Sequence, residues 1–482
     1  MPSSTTSVFT AAMAKRGGCR YAADTMDVFT HRPTALATLL LIAALSLAGC
    51  PKDGKGKTKA GASQAVAKLP GQDNTPRKAK SNKAPTGKPA KPGTVDEPAA
   101  TPKPPTSPKP VKAAGGGGHD FIAEARLLFQ VAACPKTTTP KVAGFAPHVV
   151  KVHCQRLRKQ MARYRKNYVD KAKPWLAERQ PKTLPTTVVY PFGGGDLLSA
   201  LTTYSQAREI TTISLEHTGD VRGVKKLRGR KLAENLKLLR QTIAGLLALD
   251  DSTSVNMMKM QRTPIPGQLA FFLVALSVYD YEPISLRYFR IEANGTLHYF
   301  TKAEFEAHEG RRAKRLSGGW VTPTWSVAFS HAELRFRRQG KPDAPVLVHR
   351  HIAANLADSK LPQSGPLLTH LRSKGPFVAM TKAAAYMIWR RGFSHIRDLL
   401  LDKMVYMVSD STGIPPNDSK ARGFRVTTYG RYRQCFFEKR FAPKTDEQFI
   451  RLWRQQRYRK LPFRYGYPDR EGSWHMMITH KP

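Results

Sequence analysis

The sequence predicts a mixed α/β domain of the α+β kind, preceded by a long segment that does not fold by itself. Three observations predict this class. Apolar residues after about residue 120 recur with helical spacing in some stretches and form short continuous runs in others. A strand, a glycine turn, a helix and a second strand follow one another in the middle of the chain. Turn residues then separate pairs of strand-like runs, as in β-hairpins.

Two helical segments open the folded part. Residues 121–133 and 148–178 both show the 3.6-residue spacing of an amphipathic helix. In the second segment, Val150, Leu157 and Met161 share one face, and basic residues fill the other. Such a basic face is typical of a solvated surface. The two segments predict a helical subdomain over 119–182 within a single large domain over 119–482.

The middle of the chain carries the strand–glycine turn–helix–strand unit. Residues 186–192 predict a buried strand, three glycines follow, and Asp196 is placed to cap a helix over 196–204. A second strand is predicted over 209–216. This is the outline of a nucleotide-binding βαβ unit, but Leu198 occupies the position of the last glycine of the motif. We therefore predict a tight turn in which Asp196 and Glu216 bind backbone amides, and no cofactor.

The rest of the folded part predicts helices, hairpins and a pair of C-terminal helices. The helices are predicted at 227–248, 266–280, 377–391 and 393–408, and the hairpins at 283–301 and 325–356, with turns at 294–295 and 338–340. The apolar helix 266–280 is too short to cross a bilayer and is expected in the core. His349 and His351 alternate with Arg350 on one predicted strand, so both point to one face. A metal site there lacks a third ligand, and no metal is expected.

An export signal is predicted ahead of the folded part. Residues 35–47 form an uncharged apolar run, which is shorter than a membrane span and fits the core of a signal peptide. The tetrapeptide 47–50, Leu-Ala-Gly-Cys, resembles the lipobox of bacterial lipoproteins. This resemblance implies a signal peptide over 1–49, with Met26 as an alternative start, and a diacylglycerol on Cys50. Because Pro51 stands where inner-membrane lipoproteins carry an acidic residue, the outer membrane is favoured.

The segment 50–118 is predicted to be a disordered tether. Residues 51–118 contain twelve prolines, 14 Lys or Arg, 4 Asp or Glu and no aromatic side chain. A segment of this composition cannot bury enough apolar surface to offset its ordering entropy. Its prolines favour extended conformations, so it would hold the folded part away from the membrane.

The charge of the chain points to polyanionic partners. The formal net charge is +44, and residues from 119 onwards carry 61 Lys or Arg against 29 Asp or Glu. Such a field attracts polyanions. For an exported protein these are anionic cell-wall polymers and lipopolysaccharide, together with the membrane that holds the lipid, whereas nucleic acid is not expected. A solvated basic surface without a specific partner is the alternative.

Cysteine spacing suggests one disulfide. Beyond Cys50 the chain has Cys134, Cys154 and Cys435. In an oxidising compartment Cys134 and Cys154 are the expected pair, which leaves Cys435 as a single thiol. No CxxC pair occurs, which argues against a zinc site.

Several motifs resemble an uncharacterised family of exported bacterial proteins. The motifs are YPFGGGD at 190–196, LEHTG at 215–219, TKAAAY at 381–386, FSHIR at 393–397, DSTGIP at 410–415 and YGRY at 429–432. Members of that family carry Tyr-Pro-Phe-Ser-Gly-Pro-Asp and Leu-Glu-Pro-x-Gly at the first two motifs. This chain departs from the pattern at Gly193 and Gly195. The resemblance implies one folded unit over about 121–475 and export, and it implies no activity.

Candidate catalytic residues remain without a named motif. Asp196, Glu216 and Asp410 supply carboxylates, His217 a base and Ser411 a hydroxyl, but the usual hydrolase signatures are absent from the sequence. Asp196 and Glu216, at the ends of neighbouring strands, suit the carboxylate pair of a glycoside hydrolase. Turn and capping chemistry explains the same residues without catalysis. Two hypotheses follow: a tethered binding or structural protein of the envelope, and an envelope hydrolase of glycans or peptides.

Overall fold

A computed structural model describes residues 117–136, 144–249, 260, 263–308, 327–437 and 442–482. These residues form layers of helices on a ten-stranded mixed sheet, so the predicted mixed α/β class is correct. Cys50, the predicted signal peptide and nearly all of the predicted tether lie outside the described residues. Within the described part, no helix combines the length and the apolar character needed to cross a membrane.

The helices and strands have the following bounds. The helices are α1 Ile122–Leu128, α2 Pro147–Tyr164, α3 Asp170–Glu178, α4 Leu197–Thr203, α5 Gly229–Leu249, α6 Gly267–Val278, α7 Lys302–His308, α8 Pro366–Ser373, α9 Ser394–Lys403, α10 Pro416–Ala421 and α11 Pro443–Gln455. The strands are β1 Thr187–Pro191, β2 Glu209–Ser214, β3 Tyr281–Ile291, β4 Leu297–Tyr299, β5 His331–Arg338, β6 Leu347–Ala353, β7 Phe377–Thr381, β8 Met404–Ser409, β9 Arg425–Gly430 and β10 His475–His480. A π-helical turn, Phe129–Ala133, extends α1, and another, Arg165–Val169, joins α2 to α3.

The sheet has a parallel centre and antiparallel flanks. Its order is β4-β3-β5-β6-β2-β1-β7-β8-β10-β9. The five strands from β6 to β8 are parallel to one another, and the three strands on one side and the two on the other pair antiparallel. The predicted βαβ unit is present as β1, α4 and β2. Both predicted hairpins are also present, as β3–β4 and β5–β6.

Each face of the sheet carries its own core. Val188 and Tyr190 of β1 pack into the cluster under α1 to α6, whereas Val189 between them packs into the cluster under α8 and α9. This alternation is the normal consequence of strand geometry. Every residue of α6 is buried, in agreement with its prediction as a central helix. The continuous burial explains why its sequence has no polar face.

The two predicted C-terminal helices over 377–391 and 393–408 are wrong in part. Residues 377–381 form strand β7 and residues 404–409 form strand β8, and only α9 between them is a regular α-helix. Every residue of β7 is buried, because the strand lies in the parallel centre of the sheet with helices on both sides. A buried strand of this kind reads as a continuous apolar run, which periodicity cannot distinguish from a helix.

The predicted disulfide is present. Cys134, directly after the first π-helical turn, is bonded to Cys154 of α2, with their Cα atoms 5.2 Å apart. Cys435 is a buried free thiol, as predicted. The bridge fastens the first helical segment to the second at the start of the folded part.

Candidate functional site

The carboxyl edge of the parallel strands carries most of the candidate catalytic residues. From β1 the chain passes through α4 to β2 on one side, and from β7 it passes through α9 to β8 on the other. The edge between β1 and β7 is therefore the point where strand order reverses, and open α/β sheets commonly bind ligands there. Asp196 follows β1, Lys382 follows β7 directly, and Asp410 follows β8 directly.

Asp196 and Lys382 form a buried ion pair at this point. Lys382 Nζ donates to Asp196 Oδ2 at 3.0 Å and to Ser199 Oγ at 2.6 Å. Asp196 Oδ1 accepts the backbone N–H of Ser199 at 3.1 Å, so it caps α4 as predicted, and the Tyr190 hydroxyl donates to Oδ2 at 3.2 Å. The side chains of Lys382 and Asp196 are 0% and 3% exposed. Sequence analysis missed Lys382, because its partner lies 186 residues earlier in the chain.

The glycine turn is shaped by what lies around it. A Cβ at Gly193 would come within 2.7 Å of the Tyr190 ring, and a Cβ at Gly195 within 2.8 Å of the Phe271 ring of α6. Side chains at these positions would overlap atoms that are already in place. Close packing therefore favours glycine at both positions, and the predicted tight turn is confirmed, with the Asp196 amide bonded to the Gly193 carbonyl at 3.0 Å.

Asp410 holds three chain segments together. Its Oδ1 accepts the Thr412 amide at 2.9 Å and the Thr412 hydroxyl at 2.5 Å, and its Oδ2 accepts the amides of Ala383 and Tyr467, both at 2.9 Å. Burial raises the pKa of Asp410, while these donors lower it. A carboxylate with so many donors fixes the local backbone. This arrangement agrees with the turn chemistry predicted for the DSTG motif.

Ser411 faces a histidine that the sequence did not single out. Ser411 Oγ lies 2.8 Å from Nε2 of His475, and the backbone N–H of Ser411 donates to the same nitrogen at 3.1 Å. Nε2 must therefore be the acceptor, which places the ring proton on Nδ1, 3.4 Å from the Ser473 carbonyl. This is the tautomer of a general base beside a nucleophile. However, both residues are 0% exposed, and burial lowers the pKa of His475 to about 3.

Left-handed backbone conformations gather at the same edge. Ala383, Ala385 and Tyr386, which follow β7, have φ angles of 52°, 51° and 56°, and Phe192, which follows β1, has a φ of 61°. Residues with a Cβ rarely adopt these angles, and each costs of order 1–3 kcal/mol. Such strain is often found at functional sites, but here it accompanies a fully packed cluster.

Glu216 and His217 lie apart from that cluster, at the end of β2. His217 Nδ1 lies 2.7 Å from Ser330 Oγ, and the Glu216 carbonyl accepts from His351 Nε2 at 2.8 Å. Burial lowers the pKa of His217. The structure thus brings Asp196 and Asp410 to the same pair of buried tyrosines, Tyr190 and Tyr465, whose pKa values are raised by burial and, to a smaller extent, by both carboxylates. It places Glu216 and His217 against β5 and β6 instead.

His349 and His351 point to one face, as predicted, and the Thr212 hydroxyl joins them. It lies 3.0 Å from His349 Nε2 and 3.0 Å from His351 Nδ1. Because His351 Nε2 donates to a carbonyl, its Nδ1 accepts the Thr212 proton, and Thr212 accepts from His349. In the described part of the chain, no group of three or more His, Cys, Asp or Glu side chains is arranged to hold a metal ion.

A pocket of about 680 Å³ opens on the face of the sheet that α1 to α6 cover. It lies where α2, the second π-helical turn and the end of α5 meet residues 461–464. We call it the first pocket. Its polar lining includes Gln160, Arg163, Asn167, Lys171 and Arg464, and its aromatic lining includes Tyr164, Tyr168, Phe463 and Trp474. The π-helical turn places Asn167 and Tyr168 in the lining, and such turns often occur at functional sites. None of the five candidate catalytic residues predicted from the sequence lines it.

A second pocket of about 480 Å³ adjoins the first. It is lined by Trp175, Arg179, Tyr429, Arg459, Lys460 and Pro462. Pro462 also lines the first pocket, and the rings of Trp175 and Phe463 lie 5.3 Å apart, so the two pockets form one continuous surface. We call this surface the basic groove.

The basic groove is positively charged. Each pocket presents three Lys or Arg side chains, and neither has a carboxylate in its lining. The guanidinium of Arg179 lies 3.9 Å from the centre of the Trp175 ring, and that of Arg464 lies 5.5 Å from the centre of the Trp474 ring. Such Arg–aromatic pairs occur on ordinary packed surfaces, and here they line a concave site.

Comparison of the chain with protein-family models, with curated proteins and with solved structures finds no match. The geometry of the site is therefore the basis for the function proposed below.

Proposed function

We propose that the folded part binds an anionic polymer through the basic groove. One observation carries this proposal: two adjoining pockets place six cationic side chains and several aromatic rings around one concave surface, and of these cations Arg179 is paired with a carboxylate outside the lining, that of Glu178. Like charges gathered in a concave site repel one another and raise the local potential. A bound polyanion relieves that repulsion at several positions at once.

We propose that the groove meets its polymer in the cell envelope. The Leu-Ala-Gly-Cys motif at 47–50 supports a lipid anchor on Cys50, and the Lys- and Pro-rich residues after it support an extended tether. A groove held at the end of such a tether would meet the anionic cell-wall polymers or lipopolysaccharide of the envelope. The domain then acts as a binding or structural element between membrane and polymer.

The groove is tested with charge reversal. The double variant Arg459→Glu, Lys460→Glu is expected to weaken binding of the mature chain to an anionic polysaccharide at least tenfold in co-sedimentation or titration. The control Lys151→Glu, Arg156→Glu makes the same charge change on exposed positions of α2. Equal losses in both pairs would show that only the net charge matters, and the groove would be rejected as the site.

The anchor is tested independently. Expressed in a bacterial host with radioactive palmitate, the full chain is expected to incorporate label, and Cys50→Ser is expected to incorporate none. Cys19→Ser, which changes a cysteine ahead of the apolar run, keeps the label. Labelling that survives in Cys50→Ser would reject the anchor and leave the groove proposal standing.

A hydrolase is a second candidate, and Ser411 with His475 favours it. The 2.8 Å contact and the tautomer of His475 match a nucleophile and its base. Asp410 fixes the turn that carries Ser411. If the pair is catalytic, a fluorophosphonate probe labels Ser411, and both Ser411→Ala and His475→Gln abolish the labelling. Absence of labelling, or labelling of another serine found by peptide mapping, rejects the hydrolase.

A further inference from the structure

We infer that the ligand of the basic groove is an acidic glycan, whose sugar hydroxyls and carboxylates are both recognised, and not a single-stranded nucleic acid. This inference rests on the proposed function, because it names the class of polymer that the same groove takes.

A buried oxygen of a residue in the first pocket lacks a hydrogen-bond donor. Gln160 lines the pocket, and its Oε1 atom is buried and has no hydrogen-bond partner among the described residues. A buried amide oxygen without a donor is costly and rare. Only a group with an O–H or N–H satisfies it. A sugar hydroxyl supplies such a donor, whereas a carboxylate or phosphate anion supplies none.

The indole rings of the groove are covered by arginine side chains. Single-stranded nucleic acids bind by stacking successive bases on open aromatic faces. Here Arg179 lies over the Trp175 ring at 3.9 Å, and the edges of Tyr429 and Phe463 approach the same ring at interplanar angles of 78° and 85°. Arg464 lies over Trp474. Arginine therefore already occupies the position over each indole ring where a base would stack.

The cations that do not lie over a ring supply the charge for the ligand. Arg179 already donates to the Glu178 carboxylate at 2.9 Å and to the Trp175 carbonyl at 2.8 Å. The carboxylates of a ligand would therefore meet the exposed Arg163 and Lys171 in the first pocket and Lys460 in the second. Asn167 and Gln160 add amide groups in the first pocket. Cations beside amides suit a chain that bears both carboxylates and hydroxyls.

The dimensions of the groove agree with an extended ligand. A pocket of about 680 Å³ lies within the range of roughly 300–1,000 Å³ that holds small-molecule ligands. The second pocket shares Pro462 with the first, and Arg459 and Lys460 are in its lining. A polyuronate that crosses Pro462 would place sugar units in both pockets and meet cations in each.

The test uses three probes with the mature chain: a polygalacturonate oligomer, its methyl ester, and an oligo-dT with the same number of charges as the polygalacturonate. Affinities are measured by titration at one fixed salt concentration. Polygalacturonate is expected to bind at least tenfold more tightly than either of the others. Gln160→Leu is expected to remove most of the preference over oligo-dT, while the control Gln155→Leu, at an exposed position of the same helix, retains it.

The outcomes distinguish a failure of the glycan inference from a failure of the proposed function. Binding of oligo-dT as tight as that of polygalacturonate, or a preference that Gln160→Leu does not change, overturns the glycan inference and leaves a general polyanion site. Binding of none of the probes overturns the proposed function itself. Binding of the methyl ester as tight as that of polygalacturonate overturns the role assigned to the cations.

Discussion

At the scale of single residues, the buried pair of Asp196 and Lys382 has a large expected effect on stability. Two charges withdrawn from water are tolerated only because each has partners: Asp196 accepts from Lys382, Tyr190 and the Ser199 amide, and Lys382 also donates to Ser199. The net gain of such a pair over apolar residues is small, but removing one partner strands the other charge.

Lys382→Met is therefore expected to lower the free energy of unfolding by ~3 kcal/mol or more, because Asp196 remains buried without its cation. Urea denaturation followed by tryptophan fluorescence measures the change. The double variant Asp196→Asn, Lys382→Met should recover part of the loss, and Arg230→Ala, in an exposed pair with Glu234, should leave the midpoint unchanged. A single variant as stable as the parent would show that the pair contributes nothing.

The same residues show which side-chain contacts could be predicted from the sequence and which could not. Asp196 was predicted as a helix cap because capping depends on residues three positions away. Lys382 and His475 were missed because their partners are distant in sequence and no local pattern encodes them. The basic groove was missed for the same reason: its lining comes from residues near 160–179, 244–247, 429 and 459–474, which only the fold brings together.

At the scale of elements, local signals succeeded where one face of an element differs from the other. The amphipathic α5, both hairpin turns and the βαβ unit follow from periodicity and glycine placement. Strands β7 and β8 did not, since their burial on both sides removes the alternation that marks a strand. The two π-helical turns left no signal in the sequence that we can identify, although the second one shapes the first pocket.

The bridge between Cys134 and Cys154 is the element-scale feature with a direct test. It closes a loop across a separation of 20 residues, and the loop-entropy relation assigns such a loop about 3 kcal/mol of stabilisation. Replacing both cysteines by alanine, or adding a reductant, is expected to lower the thermal midpoint by several degrees. Reductant should lower the midpoint of Cys435→Ala as much as that of the parent. An unchanged midpoint after verified reduction would show that helix packing alone holds these segments.

At the scale of the whole molecule, charge has two distinct consequences. The excess of cations lies on the surface, where it attracts polyanions and is screened by salt. The buried titratable groups act on stability instead. Among them, five histidines are held neutral by burial, which lowers the pKa to about 4 for His153, His351 and His370 and to about 3 for His331 and His475.

These histidines predict a domain that is labile to mild acid. Their pKa values in the folded state lie below the value of 6.5 that they have when exposed, so between pH 6.5 and about 4 the unfolded chain binds more protons than the folded chain. Stability is fully present above pH 6.5 and falls as the pH is lowered. At pH 5 each such histidine costs on the order of 2 kcal/mol.

Five contributions of that size approach the whole stability of a typical domain, which is roughly 5–15 kcal/mol. Burial also lowers the pKa of His349 well below its usual range. Thermal or urea unfolding measured from pH 7.5 to pH 5 is therefore expected to show a steep loss of stability, with an uptake of about six protons or more on unfolding near pH 5. Substitution of His351 by glutamine, which retains a polar side chain beside Thr212, should reduce the uptake by about one proton. His148→Gln, at an exposed position of α2, should leave it unchanged. A midpoint that stays constant between pH 7.5 and pH 5 would show that these imidazoles become protonated inside the folded domain, and the packing around Thr212 and Ser411 would then have to open without unfolding.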